Sequence, residues 1–294
     1  MISNPIKRIL VATDMSEFAD AAVRFGDNLR RLLGSSITIV YANEPFIPYD
    51  MFDAAAYASV DQAAVRESLE RRLHEHLDSV VSDPAVFDVR FVDGHPAHVI
   101  NTTANEINAD LIIMGTHGRT GFRRVLMGSI AERVVHESSR PVLTVKQEAA
   151  DAVPVKSIVC PVNFTDVAHE ALDYACVLAQ ALDAELIVVH VMGDLEASLH
   201  PFVEEDFSPW VTSAVSDRCK YVQLIVREGH AAEEVLRLSD ERKSMIVIGA
   251  QHRRFSDSTV IGTTTERVIR FAKQPVLTVI RQPETVQKKR VSAA

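Results

Sequence analysis

Apolar residues in this chain follow two rhythms. Short runs rich in Ile, Val and Leu, such as Ile9 to Ala12, Ile37 to Tyr41, Leu111 to Met114 and Val142 to Val145, show no alternation with polar residues. That pattern marks strands buried on both faces of a parallel sheet. Between them the spacing becomes helical. Glu17 to Leu33 places Phe18, Ala21, Ala22, Phe25, Leu29 and Leu32 on one face and stops at Gly34, a natural C-cap. A second helix is predicted roughly from Asp61 to Val80 and a third from near Pro96 to about Ile107. Strands and helices in alternation imply right-handed crossovers and an open, doubly wound α/β sheet.

The pattern occurs twice. Lys7 to Asp14 matches Lys156 to Asn163, and Ser36 to Tyr41 matches Glu185 to His190. Gly94-His95 matches Gly229-His230, and Leu111 to Gly115 matches Met245 to Gly249. Gly128-Ser129, Glu132 to Val134 and Pro141 to Val145 match Gly262-Thr263, Glu266 to Val268 and Pro275 to Val279. Ordered matches with one consistent shortening of the second copy between its second and third strands establish a duplication. Two tandem domains are predicted, 1–147 and 154–283, joined by a short polar and alanine segment from Glu148 to Pro154.

Composition narrows the function classes. With 294 residues, 47% of them hydrophobic and 24% charged, the chain suits two soluble domains. No apolar run is long enough to span a membrane. The N-terminal residues lead straight into a strand-like run, so a cytoplasmic location is the expectation. A net charge of −9 and only 6% aromatic residues argue against a nucleic-acid surface. Cys160, Cys176 and Cys219 form no CxxC pair, which argues against a disulfide framework or a zinc site.

Candidate chemistry gathers after the first and fourth strands of copy one. Open α/β sheets bind ligands beyond the carboxyl ends of their strands, where strand order reverses. The first strand ends at Thr13-Asp14. The fourth ends at Gly115 and is followed by Gly118, Arg119, Gly121, Arg123, Arg124 and Gly128-Ser129. Glycines allow close backbone approach, and Gly128-Ser129 opens a helical run whose amides and dipole favour an anion. The arginines add positive charge. The stretch matches neither GxxxxGK[ST] nor GxGxxG. Asp14 with Glu17 also reads as a capping box.

The spacing Gly115-x2-Gly118-x9-Gly128-Ser129, with Asp14 after strand one, resembles the universal stress protein family over nearly the whole chain, as two copies. The resemblance implies a five-stranded parallel sheet of order 3-2-1-4-5 in each domain, with ATP across the gap between the first and fourth strands, often with Mg2+. By position, Asp14 would bond the ribose or assist the metal, and the backbone at Ala42 would meet the adenine. Met114 and Gly115 would line the sugar, while Gly118, Gly128, Ser129 and Ile130 would hold phosphates, with Arg119 beside them. The family pairs two such domains through their last strands, here Val142 to Val145 and Val276 to Val279. An internal pseudo-dimer is therefore expected, with a homodimer left open.

Copy two departs from this pattern. Asn163 stands in place of the aspartate, His252 replaces the second glycine after Gly249, and Asp257 lies within the loop, while Gly262-Thr263 and Arg253-Arg254 remain. A weaker second site at Asn163, Gly249, Gly262 and Thr263 is the expectation. The chain reads as an ATP-binding stress-response or regulatory protein with unnamed protein partners. With no evident general base, at most slow hydrolysis is expected. The rival readings are a nucleotide-independent adaptor and a slow nucleotide-hydrolysing or nucleotide-transferring enzyme. His74, Glu75, His76 and Asp78 read as a solvated helix face, because positions 74 and 76 point apart.

Overall fold

The computed structural model describes residues 6–44, 61–116, 127–149, 152, 154–193, 207–212, 215, 219, 221–252, 259–260 and 262–281. The first repeat runs β1 (Arg8–Thr13), α1 (Glu17–Leu33), β2 (Ser36–Asn43), α2 (Gln62–Val80), β3 (Asp88–Asp93), α3 (Pro96–Glu106), β4 (Leu111–Gly115), α4 (Ser129–Glu137) and β5 (Val142–Val145). The second runs β6 (Ser157–Val162), α5 (Asp166–Leu182), β7 (Glu185–Met192), β8 (Val222–Glu228), α6 (Ala231–Arg242), β9 (Met245–His252), β10 (Thr259–Val260), α7 (Thr263–Phe271) and β11 (Val276–Arg281).

The predicted helices fall where capping chemistry puts them. Ser16 caps α1 by accepting from the Ala19 amide, and Gly34 ends it at φ 68° with its N–H on the Arg30 carbonyl. Asp61 accepts from the amides of Ala63 and Ala64 to start α2. Asp14 is not the cap, contrary to the capping-box reading. Its Oδ1 instead accepts from the Ser16 N–H at 3.1 Å and the Ser16 hydroxyl at 2.5 Å, holding the turn that precedes the helix. Met15 in that turn has φ 61°, and Phe164, its counterpart in the second repeat, has φ 59°. The duplication thus extends to the left-handed residues.

All described strands lie in one sheet of order β3-β2-β1-β4-β5-β11-β9-β6-β7-β8, with β10 paired to β9. Each half reads 3-2-1-4-5, and the second is the first turned about the junction. Neighbours within the halves are parallel apart from the β9–β10 hairpin. At the centre β5 and β11 pair antiparallel, Leu143 opposite Leu277.

Two apolar layers cover the sheet, and both cross that junction. One gathers α1, α2 and α5, with Phe25, Leu73, Leu77, Leu172 and Cys176 buried. The other gathers α3, α4, α6 and α7, with Ile100, Val134, Val235 and Val268. The segment between the repeats is docked rather than free, since Ala149 and Val155 are buried in the first layer. Thr144 Oγ1 donates to the Val276 carbonyl at 3.3 Å, and Lys146 Nζ donates to the Arg270 carbonyl at 3.1 Å.

His76 does not lie on a solvated face. Its Nε2 meets Asp20 Oδ1 at 2.6 Å and ties α2 to α1, while His74 and Asp78 are exposed. No group of three or more His, Cys, Asp and Glu among the described residues is arranged to hold a metal.

The central ladder carries a stability prediction. Leu143 and Leu277 are each 1% exposed and face one another in register. Leu143→Ala and Leu277→Ala should each destabilise the chain by about 2–5 kcal/mol, and the double variant should lose less than their sum. Urea unfolding of the three variants measures this; strict additivity would mean that the two leucines share no packing.

Candidate functional site

The site begins where a ladder parts. β1 pairs with β4 only at Ile9, Leu10 and Val11, opposite Leu111, Ile112 and Ile113, whereas its pairing with β2 continues through Ala12 and Thr13. Beyond Val11 the carboxyl ends of β1 and β4 separate. Helices after β1 and β2 lie on one face, and helices after β3 and β4 on the other. Strand order therefore reverses at this gap.

The gap opens into a cleft of about 510 Å3 lined by the ends of β1, β2 and β4 and the starts of α3 and α4. That volume is typical of small-molecule sites, roughly 300–1,000 Å3. Six of the sequence-predicted residues meet there: Asp14, Ala42, Gly115, Gly128, Ser129 and Ile130. Met114 does not line the cleft; its side chain is 5% exposed and belongs to the apolar layer below. Its register position against Thr144 turns it into the core, which the sequence pattern alone does not reveal. Gly118 and Arg119 lie outside the described residues, as do Gly121, Arg123 and Arg124.

One wall of the cleft is electropositive by construction. α4 follows Gly128, whose φ of −73° and ψ of 149° suit an N-cap, and no side chain among the described residues caps the helix. The Gly128 N–H donates to the Thr116 carbonyl at 2.7 Å, so this amide pins the loop to the end of β4. The Gly128 N–H is therefore already engaged within the protein. The next amides, of Ser129, Ile130 and Ala131, belong to the first helical turn, which lacks intrahelical acceptors. All three residues line the cleft. Together with the helix dipole they favour an anion. α1 and α2, which start away from this wall, do carry side-chain caps.

The opposite wall is polar and acidic. Asp14 and Glu44 line it, with Asn43, whose Nδ2 donates to Asp93 Oδ1 at 2.7 Å. Tyr41, buried and stacked on Phe91 with ring centroids 5.0 Å apart, supports the floor. The sequence reading missed Thr13, Asn43, Glu44, Pro96, Ile100 and Thr116, all lining residues. Register would have found some of them: Thr13 lies opposite Tyr41, so the residues after Tyr41 must extend along the same opening.

The second repeat repeats the construction. β6 pairs with β9 only at Ile158 and Val159, leaving Cys160, Pro161 and Val162 without a partner on that side. The resulting cleft is about 750 Å3 and is lined by Asn163, Gly249, Gly262 and Thr263 among others. α7 starts at Gly262, again with no side-chain cap. Among the described lining residues none is charged: Asn163 stands where Asp14 stands in the first cleft, and no acid takes the part of Glu44. Asn163 Oδ1 accepts from the Thr165 hydroxyl at 2.7 Å. The side chain of His252, and Arg253, Arg254 and Asp257, are outside the described residues.

A profile of the Universal stress protein family matches residues 5–146 and again 154–279. The chain belongs to the universal stress protein family. One relative, Universal stress protein MJ0531 of Methanocaldococcus jannaschii, is 31% identical over 150 residues, covering 49% of this chain and 84% of its own length. A universal stress protein of Archaeoglobus fulgidus has the same fold over 96% of this chain and all of its own, with a TM-score of 0.69 at 21% identity. A putative universal stress protein from Pseudomonas aeruginosa superposes over 95% of both chains, with a TM-score of 0.64 at 17% identity. In this universal stress protein the single-repeat relative therefore matches half the chain, and two-repeat structures match nearly all of it.

Glycines on the second cleft have separable roles. A Cβ at Gly249 would lie 2.7 Å from both Cγ1 and the carbonyl oxygen of Val167, whereas one at Gly262 would meet nothing within 4 Å. Gly249 lets the start of α5 press against β9, a packing role beyond any ligand. Gly249→Ala should destabilise the chain by about 1–3 kcal/mol, while Gly262→Ser should stay within about 0.5 kcal/mol of the parent. Chemical denaturation of both variants checks this, and equal losses would overturn the distinction.

Proposed function

We propose that the first cleft binds ATP and that the bound nucleotide serves as a regulatory signal in a stress response. The single observation behind this reading is the uncapped start of α4, with three first-turn residues on the cleft wall. Phosphates sit against Ser129, Ile130 and the glycine loop that includes Gly118 and Arg119. The sugar lies over Gly115 beside Asp14, and the base approaches the backbone of Ala42. Acid at one end and helix dipole at the other orient the ligand without any basic side chain among the described lining residues.

The donor set also suits Mg2+ carried by the nucleotide. Mg2+ keeps several waters and needs only one or two protein carboxylates beside phosphate oxygens. Asp14 supplies such a carboxylate, and its orientation is held by the Ser16 contacts. The described lining residues include two acids, Asp14 and Glu44, and no histidine, lysine or cysteine among them. This inventory favours binding over turnover and a protein that reports nucleotide state to partners through its shape. We place the chain in the cytoplasm on the same reading.

The second cleft takes ATP more weakly. Its neutral described lining offers a polyphosphate–Mg2+ pair no carboxylate at Asn163. Calorimetric titration of the full chain with Mg-ATP should give close to one strong site per chain, and two equal sites would refute the asymmetry. Gly118→Leu should weaken that site at least about tenfold, or about 1.4 kcal/mol. Unchanged binding by this variant would favour an adaptor that needs no nucleotide.

A further inference from the structure

We propose that the second cleft is a site for an aliphatic monocarboxylate, held without metal, rather than for a nucleotide. The inference rests on the weaker hold on ATP proposed above for this cleft, and the duplication supplies an internal control. Thr13 at the end of β1 has Val162 as its counterpart, Ala42 has Val191, Glu44 has Gly193 and Thr116 has Ala250. Val162, Val191 and Ala250 all line the second cleft. Its strand ends are therefore apolar where those of the first cleft are polar or acidic. At the helix start the change runs the other way. Ile130 and Ala131 in the first turn of α4 have Thr264 and Thr265 as counterparts in α7, and with Thr263 these put three successive hydroxyl-bearing residues on that wall. Polar groups have left the strand ends and gathered at the helix start.

Those groups act as donors. Asn163 Oδ1 already accepts from the Thr165 hydroxyl at 2.7 Å, which leaves the Nδ2 amide as the group Asn163 turns to a ligand. The Thr265 hydroxyl donates to the Gly249 carbonyl at 3.1 Å, so Thr263 and Thr264 supply the hydroxyls. First-turn amides of α7 lack intrahelical acceptors and add the positive end of the helix dipole. A Cβ at Gly262 would meet nothing within 4 Å, so a head group has room beside them. Neutral donors of this kind suit one negative charge. Among the described lining residues no acid is present to hold a cation and no basic side chain to match a polyphosphate. A carboxylate fits, since it only accepts and does so through two oxygens. The rest of the cleft, about 750 Å3 in all, is walled by Val162, Val167, Val191, Val235 and Ile248, with no aromatic ring among the described lining residues to stack on a base. Branched aliphatic walls suit an alkyl chain, each buried methylene tightening binding about fourfold.

Calorimetric titration of the full chain with sodium octanoate tests the proposal. One site per chain is expected, with butanoate at least about tenfold weaker for the methylenes it lacks. Octanol, which keeps the chain and loses the charge, should bind several-fold more weakly than octanoate. Ala231→Glu places a carboxylate on the cleft wall at the first residue of α6, where a helix start accommodates an acid, and should abolish octanoate binding. Thr264→Ile copies Ile130 of the first repeat, should weaken octanoate several-fold, and covers a misfolded Ala231→Glu chain. Mg-ATP at a concentration that fills the strong site should leave octanoate binding unchanged. No octanoate binding, octanol as tight as octanoate, binding that survives both substitutions, or displacement by that Mg-ATP would each overturn the proposal. One strong ATP site with no octanoate site would defeat this inference alone, whereas two equal ATP sites would defeat the nucleotide asymmetry with it.

Discussion

The architecture depends on a ladder that stops early. β1 and β4 are bonded side by side through Val11 and Ile113 and then part, because the helices that follow them must leave to opposite faces of the sheet. Parallel strands point all their carboxyl ends one way, so the parting opens a crevice on a single edge of the sheet. What lines that crevice is then set by topology: the residue after β1, the end of β2, the last glycine of β4 and the first turn of α4. None of these residues can leave the cleft without changing the order of strands. The second repeat obeys the same constraint, and its ladder between β6 and β9 ends after Val159. Pro161 sits just beyond that point, where a missing N–H costs the β9 side nothing.

Joining two such units through β5 and β11 removes an exposed edge from each. It also merges their cores into two continuous layers, so the repeats do not behave as beads on a tether. α4 and α7, which begin at the two clefts, both lie in the same apolar layer, and α4 packs against β10 of the other repeat. The two helix starts therefore belong to one packed layer that spans both repeats.

Much of this was legible in the sequence because burial on both faces leaves unbroken apolar runs, and helix starts and stops carry their own residues. The α1 boundaries at Glu17 and Leu33 follow from the periodicity and Gly34. The clustering of Asp14, Gly115 and Ser129 followed from the doubly wound order. Side-chain direction was less accessible. Met114 turned inward, His76 turned toward Asp20, and Ser16 rather than Asp14 capped α1, since each depends on register or on a neighbouring helix. Lining residues such as Asn43 and Thr116 carry no motif and become visible only when strands are set side by side.

The central claim concerns the amides at the start of α4, and backbone NMR of the 15N-labelled chain reads them directly. Adding ATP should move the amide resonances of Ser129, Ile130 and Ala131 strongly, while adenosine, which lacks phosphates, should move the end of β2 and leave those three nearly still. Amides at 129–131 that ignore ATP, or that respond equally to adenosine, would contradict the account.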